Sequence, residues 1–143
     1  MRNCFLGIAI CCLSACTSVT VVPLDPSLDM QLICIERNPA VRLSGFVDML
    51  EEGIARNGMK SQVFEGSKPE SCEYVLKYTA LRSWDVTPYL SHAELWIYKN
   101  DKQVASAVFH LKGKGGLAVT KWKSTKAKMD PVIDELLSKK QGS

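Results

Sequence analysis

Ala93-Glu94-Leu95-Trp96-Ile97-Tyr98-Lys99-Asn100-Asp101-Lys102-Gln103-Val104-Ala105-Ser106-Ala107-Val108-Phe109-His110-Leu111 is the stretch that decides the fold. Ala93, Leu95 and Ile97 alternate with Glu94, Trp96 and Tyr98, the period of a strand with one apolar face. Ala105, Ala107, Phe109 and Leu111 repeat that period beyond Asn100-Asp101, a pair suited to a two-residue hairpin turn. The expected unit is an antiparallel hairpin that buries one face and leaves Trp96 and Tyr98 on the other.

Working outward, residues 73–85 form a long run rich in Tyr, Val, Leu and Thr, and 60–64 and 30–36 are shorter strand candidates. Pro88 and the residues around Tyr89 are expected to turn the chain before the hairpin. Between the short strands lies a helix signal over 39–57. Asn38 is placed to cap it and Pro39 to fill its first position. Leu43, Phe46, Val47, Leu50 and Ile54 share one face, and Gly58 supplies a left-handed stop. A second cap-and-proline pair, Asp130-Pro131, starts a short helix carrying Val132, Ile133, Leu136 and Leu137. Residues 117–128 fit a loop, a short strand or a helical turn. The expected architecture is α+β, a two-layer sandwich with a mostly antiparallel sheet of four to five strands and two helices on one face, in the order β-α-β-β-β-β-α.

The amino terminus reads differently. Met1-Arg2-Asn3, an apolar run over 4–13 and the small residues Ser14 and Ala15 reproduce the three zones of a secretory signal. The apolar run is half the roughly 20 residues needed to span a bilayer. Leu13-Ser14-Ala15-Cys16 resembles the bacterial lipobox, which implies removal of 1–15 and diacylglycerol and acyl chains on Cys16. Thr17, not Asp, follows the anchor; by resemblance to the sorting rule of Gram-negative lipoproteins, that implies the outer membrane with the body in the periplasm. Residues 16–29 are expected to be a lipidated tether, with 19–22 available as an edge strand, and 30–143 a single periplasmic domain.

Of six cysteines, Cys4, Cys11 and Cys12 fall in the signal and Cys16 carries the lipid. Cys34 and Cys72 remain, and an oxidising compartment makes them an expected disulfide. Charge is uneven. Residues 16–98 hold 7 basic and 11 acidic side chains, whereas 99–143 hold 10 lysines and 4 acids. Such an end either meets an anionic partner, a lipid or an acidic protein face, or is a solvated surface. The compartment argues against nucleic acid and nucleotides.

No motif spells out a reaction. Gly113-Lys114-Gly115-Gly116 followed by Thr120-Lys121 lacks the order of a phosphate loop. His92, Glu94 and His110 approach one another if Asn100-Asp101 is the turn, and imidazole with carboxylate suits zinc, but three loosely placed ligands are a thin set. No nucleophile-base order is assembled, so no enzyme activity is expected, and no cofactor beyond the lipid on Cys16. Trp96 and Tyr98 on the open sheet face, and Trp122 between Lys121 and Lys123, are the candidate interaction surface.

Trp84-Asp85-Val86-Thr87-Pro88-Tyr89-Leu90, Gly115-Gly116-Leu117, Lys121-Trp122 and Lys128-Met129-Asp130-Pro131-Val132-Ile133-Asp134 resemble a family of small, uncharacterised Gram-negative lipoproteins, over about residues 34–137. At a looser level the element order is similar to that of small envelope assembly lipoproteins. The resemblance implies no catalytic residue. The expected role is a non-enzymatic binding or assembly module for an envelope component. The alternatives are a metal-binding or hydrolytic protein using His92, Glu94 and His110, or a purely structural accessory subunit of an envelope complex.

Overall fold

The computed structural model describes residues 17–84, 87–112 and 124–138. The lipobox, Gly113 to Gly116 and the Lys121-Trp122-Lys123 cluster lie outside them. The elements are β1 (Thr17–Val22), β2 (Leu32–Glu36), α1 (Phe46–Arg56), β3 (Lys60–Phe64), β4 (Tyr74–Trp84), β5 (Pro88–Lys99), β6 (Lys102–Leu111) and α2 (Thr125–Leu137). They form an α+β fold around one six-stranded sheet of order β1-β6-β5-β4-β2-β3. Three of the five pairings are antiparallel, and β2 runs parallel to both neighbours.

The hairpin forms as its sequence requires. Asn100 and Asp101 both adopt positive φ, 48° and 63°, so the turn matches the twist of β5 and β6. Ala93, Leu95, Ile97, Ala105, Ala107 and Phe109 are buried under the helices. Their alternates are not. A single apolar cluster joins that strand face to Phe46, Leu50 and Ile54 of α1 and Met129, Ile133 and Leu136 of α2.

The sheet has six strands rather than four to five because the stretch expected to tether the domain contributes β1. Thr17 to Val22 pair with Leu111 to Ser106 along the edge. Leu24 then buries its side chain and donates its N–H to Leu136 O at 3.0 Å. Pro88 belongs to β5 and pairs with Trp84, so the turn between β4 and β5 falls earlier than expected.

Both helix starts also move. Asn38 does not cap a helix: its Oδ1 accepts from the Ala40 N–H, while its Nδ2 donates to Tyr78 O and its N–H to the Tyr78 hydroxyl. The segment from Asn38 to Gly45 is thereby pinned to β4. Helix α1 begins only after Gly45, whose φ of 76° a side-chain-bearing residue would adopt with strain. Its end is as expected. Gly58 N–H bonds Ala55 O and Met59 N–H bonds Ile54 O, the paired bonds of a Schellman stop. In α2 the cap is Ser124, whose Oγ accepts from Ala127 N–H at 3.1 Å, and Pro131 sits inside the helix. The buried residues Lys128, Met129, Val132, Ile133, Leu136 and Leu137 repeat every three to four positions. Burying Met129 and the Lys128 stem extends the helix beyond the proline, despite the hydrogen bond a proline removes.

Candidate functional site

With both helices on one side, β4, β5, β6 and β1 present their alternate residues to the other. The register sets rows of neighbours across this face: Val75 beside Tyr98, Lys77 beside Trp96 and Ser106, Thr79 beside Glu94 and Val108, and Leu81 beside His92 and His110. Ser18, Thr20 and Val22 of β1 continue these rows to the edge. Trp96 and Tyr98 are half-buried within the strand surface.

Among the described residues, the face is closed at one end and open along the rest. The Cys34–Cys72 disulfide forms, with Cα atoms 5.6 Å apart. Together with Phe64 and Val75 it makes a small apolar cluster separate from the main core. Beside it lies a groove of about 440 Å³ lined by Trp96, Tyr98, Tyr78, Lys77, Glu36 and the segment from Arg37 to Pro39. Lys77 Nζ sits 3.3 Å from Glu36 and 5.6 Å from the centre of the Tyr98 ring. The groove therefore offers aromatic surface with two paired cations, Lys77 with Glu36 and Arg37 with Glu65, which suits a polar partner with an apolar side. The aromatic pair is where the alternation puts it. The Arg37-to-Pro39 wall was not visible in the sequence, because Asn38 is held there by a residue forty positions away.

His92, Glu94 and His110 do come together. His92 Nε2 lies 2.8 Å from Glu94 Oε1 and its Nδ1 lies 3.2 Å from His110 Nδ1. A carboxylate only accepts, so His92 donates from Nε2 to Glu94 and, when neutral, accepts at Nδ1 from His110. The three groups form a chain, not a ring. Glu94 and His110 lie on opposite nitrogens of His92, and among the described residues no set of three or more His, Cys, Asp or Glu converges as a metal centre requires.

The lysine-rich end is only partly a free charged surface. Lys99 pairs with Glu73 at 3.1 Å, and Lys126 bridges Glu52 and Asp130. Lys128 is buried, donates to Leu90 O at 3.2 Å and lies 5.5 Å from the Tyr89 ring centre. Burial pushes its ammonium below the usual lysine range. No helix among the described residues is long and apolar enough to cross a membrane.

No protein-family model and no curated protein matches the sequence. Solved structures do match the fold. A PelC dodecamer from Paraburkholderia phytofirmans is similar with a TM-score of 0.55 and 12% identity, covering 89% of this chain and 99% of that one. A point-variant PelC dodecamer from the same organism gives a TM-score of 0.56 and 12% identity over 86% of this chain and 95% of that one. At that identity the likeness is one of fold.

Proposed function

We propose that this chain is a lipoprotein anchored through Cys16 to the periplasmic face of the outer membrane, and that its domain is a non-enzymatic binding or assembly module for an envelope component. The observation that carries this reading is the sheet face that no other element covers among the described residues. A six-stranded sheet with helices on one side leaves Trp96, Tyr98, Val108 and Thr79 facing outward next to the aromatic groove, and a contiguous patch of this kind is what a partner covers.

The fold neighbours are dodecamers, so a second copy of this chain is the first partner to test. Lys121, Trp122 and Lys123 belong to the same proposal as a basic, aromatic contact for an anionic lipid or protein. The residues flanking their stretch, Lys112 and Ser124, stand next to Leu111 and Ala127, at the end of the sheet where β1 begins.

A photo-reactive residue at position 96, in the full chain in cells, is expected to give a discrete adduct, either with another copy or with one envelope protein. The same probe at Glu51 on α1 gives none. Equal labelling at both positions, with Cys16 acylated, overturns the binding reading without touching the anchor.

A further inference from the structure

Strand register relates the expected lipid anchor to the most exposed large apolar side chains among the described residues. β1 starts at Thr17, directly after Cys16, with no spacer between anchor and sheet. Thr17 pairs with Leu111, and Ser18 with His110, which in turn faces His92. On β5 the chain continues from His92 back to Pro88, past the Thr17 row where β1 begins, and β4 accompanies it to Trp84. Three residues beyond the Thr17 row, at about 3.3 Å each, carry this hairpin about 10 Å past the amino-terminal end of β1. A break in register between Leu81 and Arg82 marks where the ribbon leaves the body of the sheet, the position where a bulge re-aims a strand.

What the hairpin carries is unusual for a solvated tip. Among the described residues, Trp84 and Leu81 are the two most exposed large apolar side chains, at 68% and 58%. Arg82 between them is exposed and Tyr89 is half-buried on the returning strand. Tryptophan and tyrosine are favoured where hydrocarbon gives way to head groups, and a guanidinium there meets phosphate.

We infer that the end of the β4–β5 hairpin, with Leu81, Arg82, Trp84 and Tyr89, is a membrane foot that enters the head-group layer of the leaflet holding the Cys16 lipid. This rests on the reading of Cys16 as lipidated. Acyl chains at the start of β1 and an interfacial tryptophan about 10 Å past that end of the strand make two attachments of different depth, so the sheet stands on the bilayer in one orientation and its uncovered face stays clear of the lipid.

The test uses the full chain with Trp96→Phe and Trp122→Phe, leaving Trp84 as the sole indole, in phosphatidylethanolamine–phosphatidylglycerol vesicles containing brominated acyl chains. Trp84 emission is expected to shift to the blue and to be quenched by shallow bromine labels. In a Cys16→Ser background, which removes the anchor, Trp84→Ala is expected to weaken vesicle partition about tenfold, equivalent to about 1.4 kcal/mol, while Glu51→Ala leaves it unchanged. Acylated Cys16 with an unquenched, water-exposed Trp84 overturns the foot and leaves the anchor standing. Absence of acyl mass on Cys16 with Trp84 still quenched overturns the anchor and leaves the foot. Trp84 is exposed, so its replacement leaves the fold intact, and the quenching of the unsubstituted residue needs no variant at that position.

Discussion

Leu95 and Trp96 are chain neighbours on opposite faces of one sheet, and the two faces are stabilised differently. Leu95 has no exposed surface and packs into the cluster that both helices share. Trp96 is half-buried against cross-strand neighbours, Lys77 and Ser106, with no layer above it among the described residues. One face holds the fold through burial. The other is left to cross-strand pairs and a disulfide cluster, an arrangement that would suit the proposed recognition surface. Leu95→Ala is expected to remove about 2 to 5 kcal/mol, the range for truncating a buried leucine, and Trp96→Ala about 1 kcal/mol or less. Urea unfolding of the two variants measures this. Equal losses would mean that both faces are core.

The uncovered face has one strong fixed point of its own. Cys34 of β2 and Cys72, in the segment leading to β4, lie beside Phe64 and Val75 on that side of the sheet. With a separation of 38 residues, the cross-link is expected to stabilise by about 3 to 4 kcal/mol through the unfolded state. The paired Cys34→Ala, Cys72→Ala variant should therefore unfold at markedly lower urea. It should also expose Phe64 to quenching or probe binding before the helix-covered core opens. Loss of both in a single step at unchanged midpoint would show that the disulfide adds nothing to this face.

The hairpin was legible because everything it needs is local: an alternating pattern and two residues that tolerate positive φ. Cys34 and Cys72 were legible through the oxidising compartment that the amino terminus leads one to expect, rather than through their spacing. The starts of the helices were not. Asn38-Pro39 has the chemistry of a cap, but Tyr78, forty residues on, offers that asparagine a carbonyl and a hydroxyl, and a contact at that range leaves no trace in periodicity. Asp130-Pro131 misled in the opposite direction, because burial of Met129 and Lys128 outweighs the proline. The parallel placement of β2 between β3 and β4 is likewise a matter of topology, and the sixth strand was legible only in part: the few charges and two prolines of its segment read as a tether, with 19–22 available as the edge strand that β1 forms. On the candidate surface, Trp96 and Tyr98 followed from alternation, while the foot around Trp84 required the register of four strands.

The covered face can be perturbed more finely at the helix crossing. Gly53 of α1 meets α2 so closely that a Cβ there would lie 2.7 Å from Ile133 Cγ2. Ile133 is β-branched and buried, so that methyl moves only with its backbone or neighbours. Gly53→Ala gains about 1 kcal/mol in helix propensity but incurs an overpacking cost of about 1 to 3 kcal/mol. The expected result is a net loss of about 1 kcal/mol. Adding Ile133→Ala should make the alanine at 53 neutral or favourable, and a double-mutant cycle reads the coupling directly. Additivity of the two substitutions would place the helices further apart than they are.

The smallest effect expected lies at the solvent edge of the same crossing. Arg56 meets Asp134 at 2.8 Å and Asn57 Nδ2 donates to it at 2.9 Å. Burial alone would raise the Asp134 carboxyl, but these bonds outweigh it and hold the group below the ordinary carboxylate range. A carboxyl lowered by folding contributes stability above its unfolded value, about 3.9, and loses it as pH falls through the lower folded value. Because both partners are more than a third exposed, water and salt screen the pair to about 0.2 to 1 kcal/mol. Asp134→Asn should therefore cost no more than that at neutral pH, nothing near pH 2, and less in 1 M salt. The amide oxygen that Asn would place at 134 still accepts from Asn57, so a penalty independent of pH and salt would identify helix packing rather than charge as what joins α1 to α2.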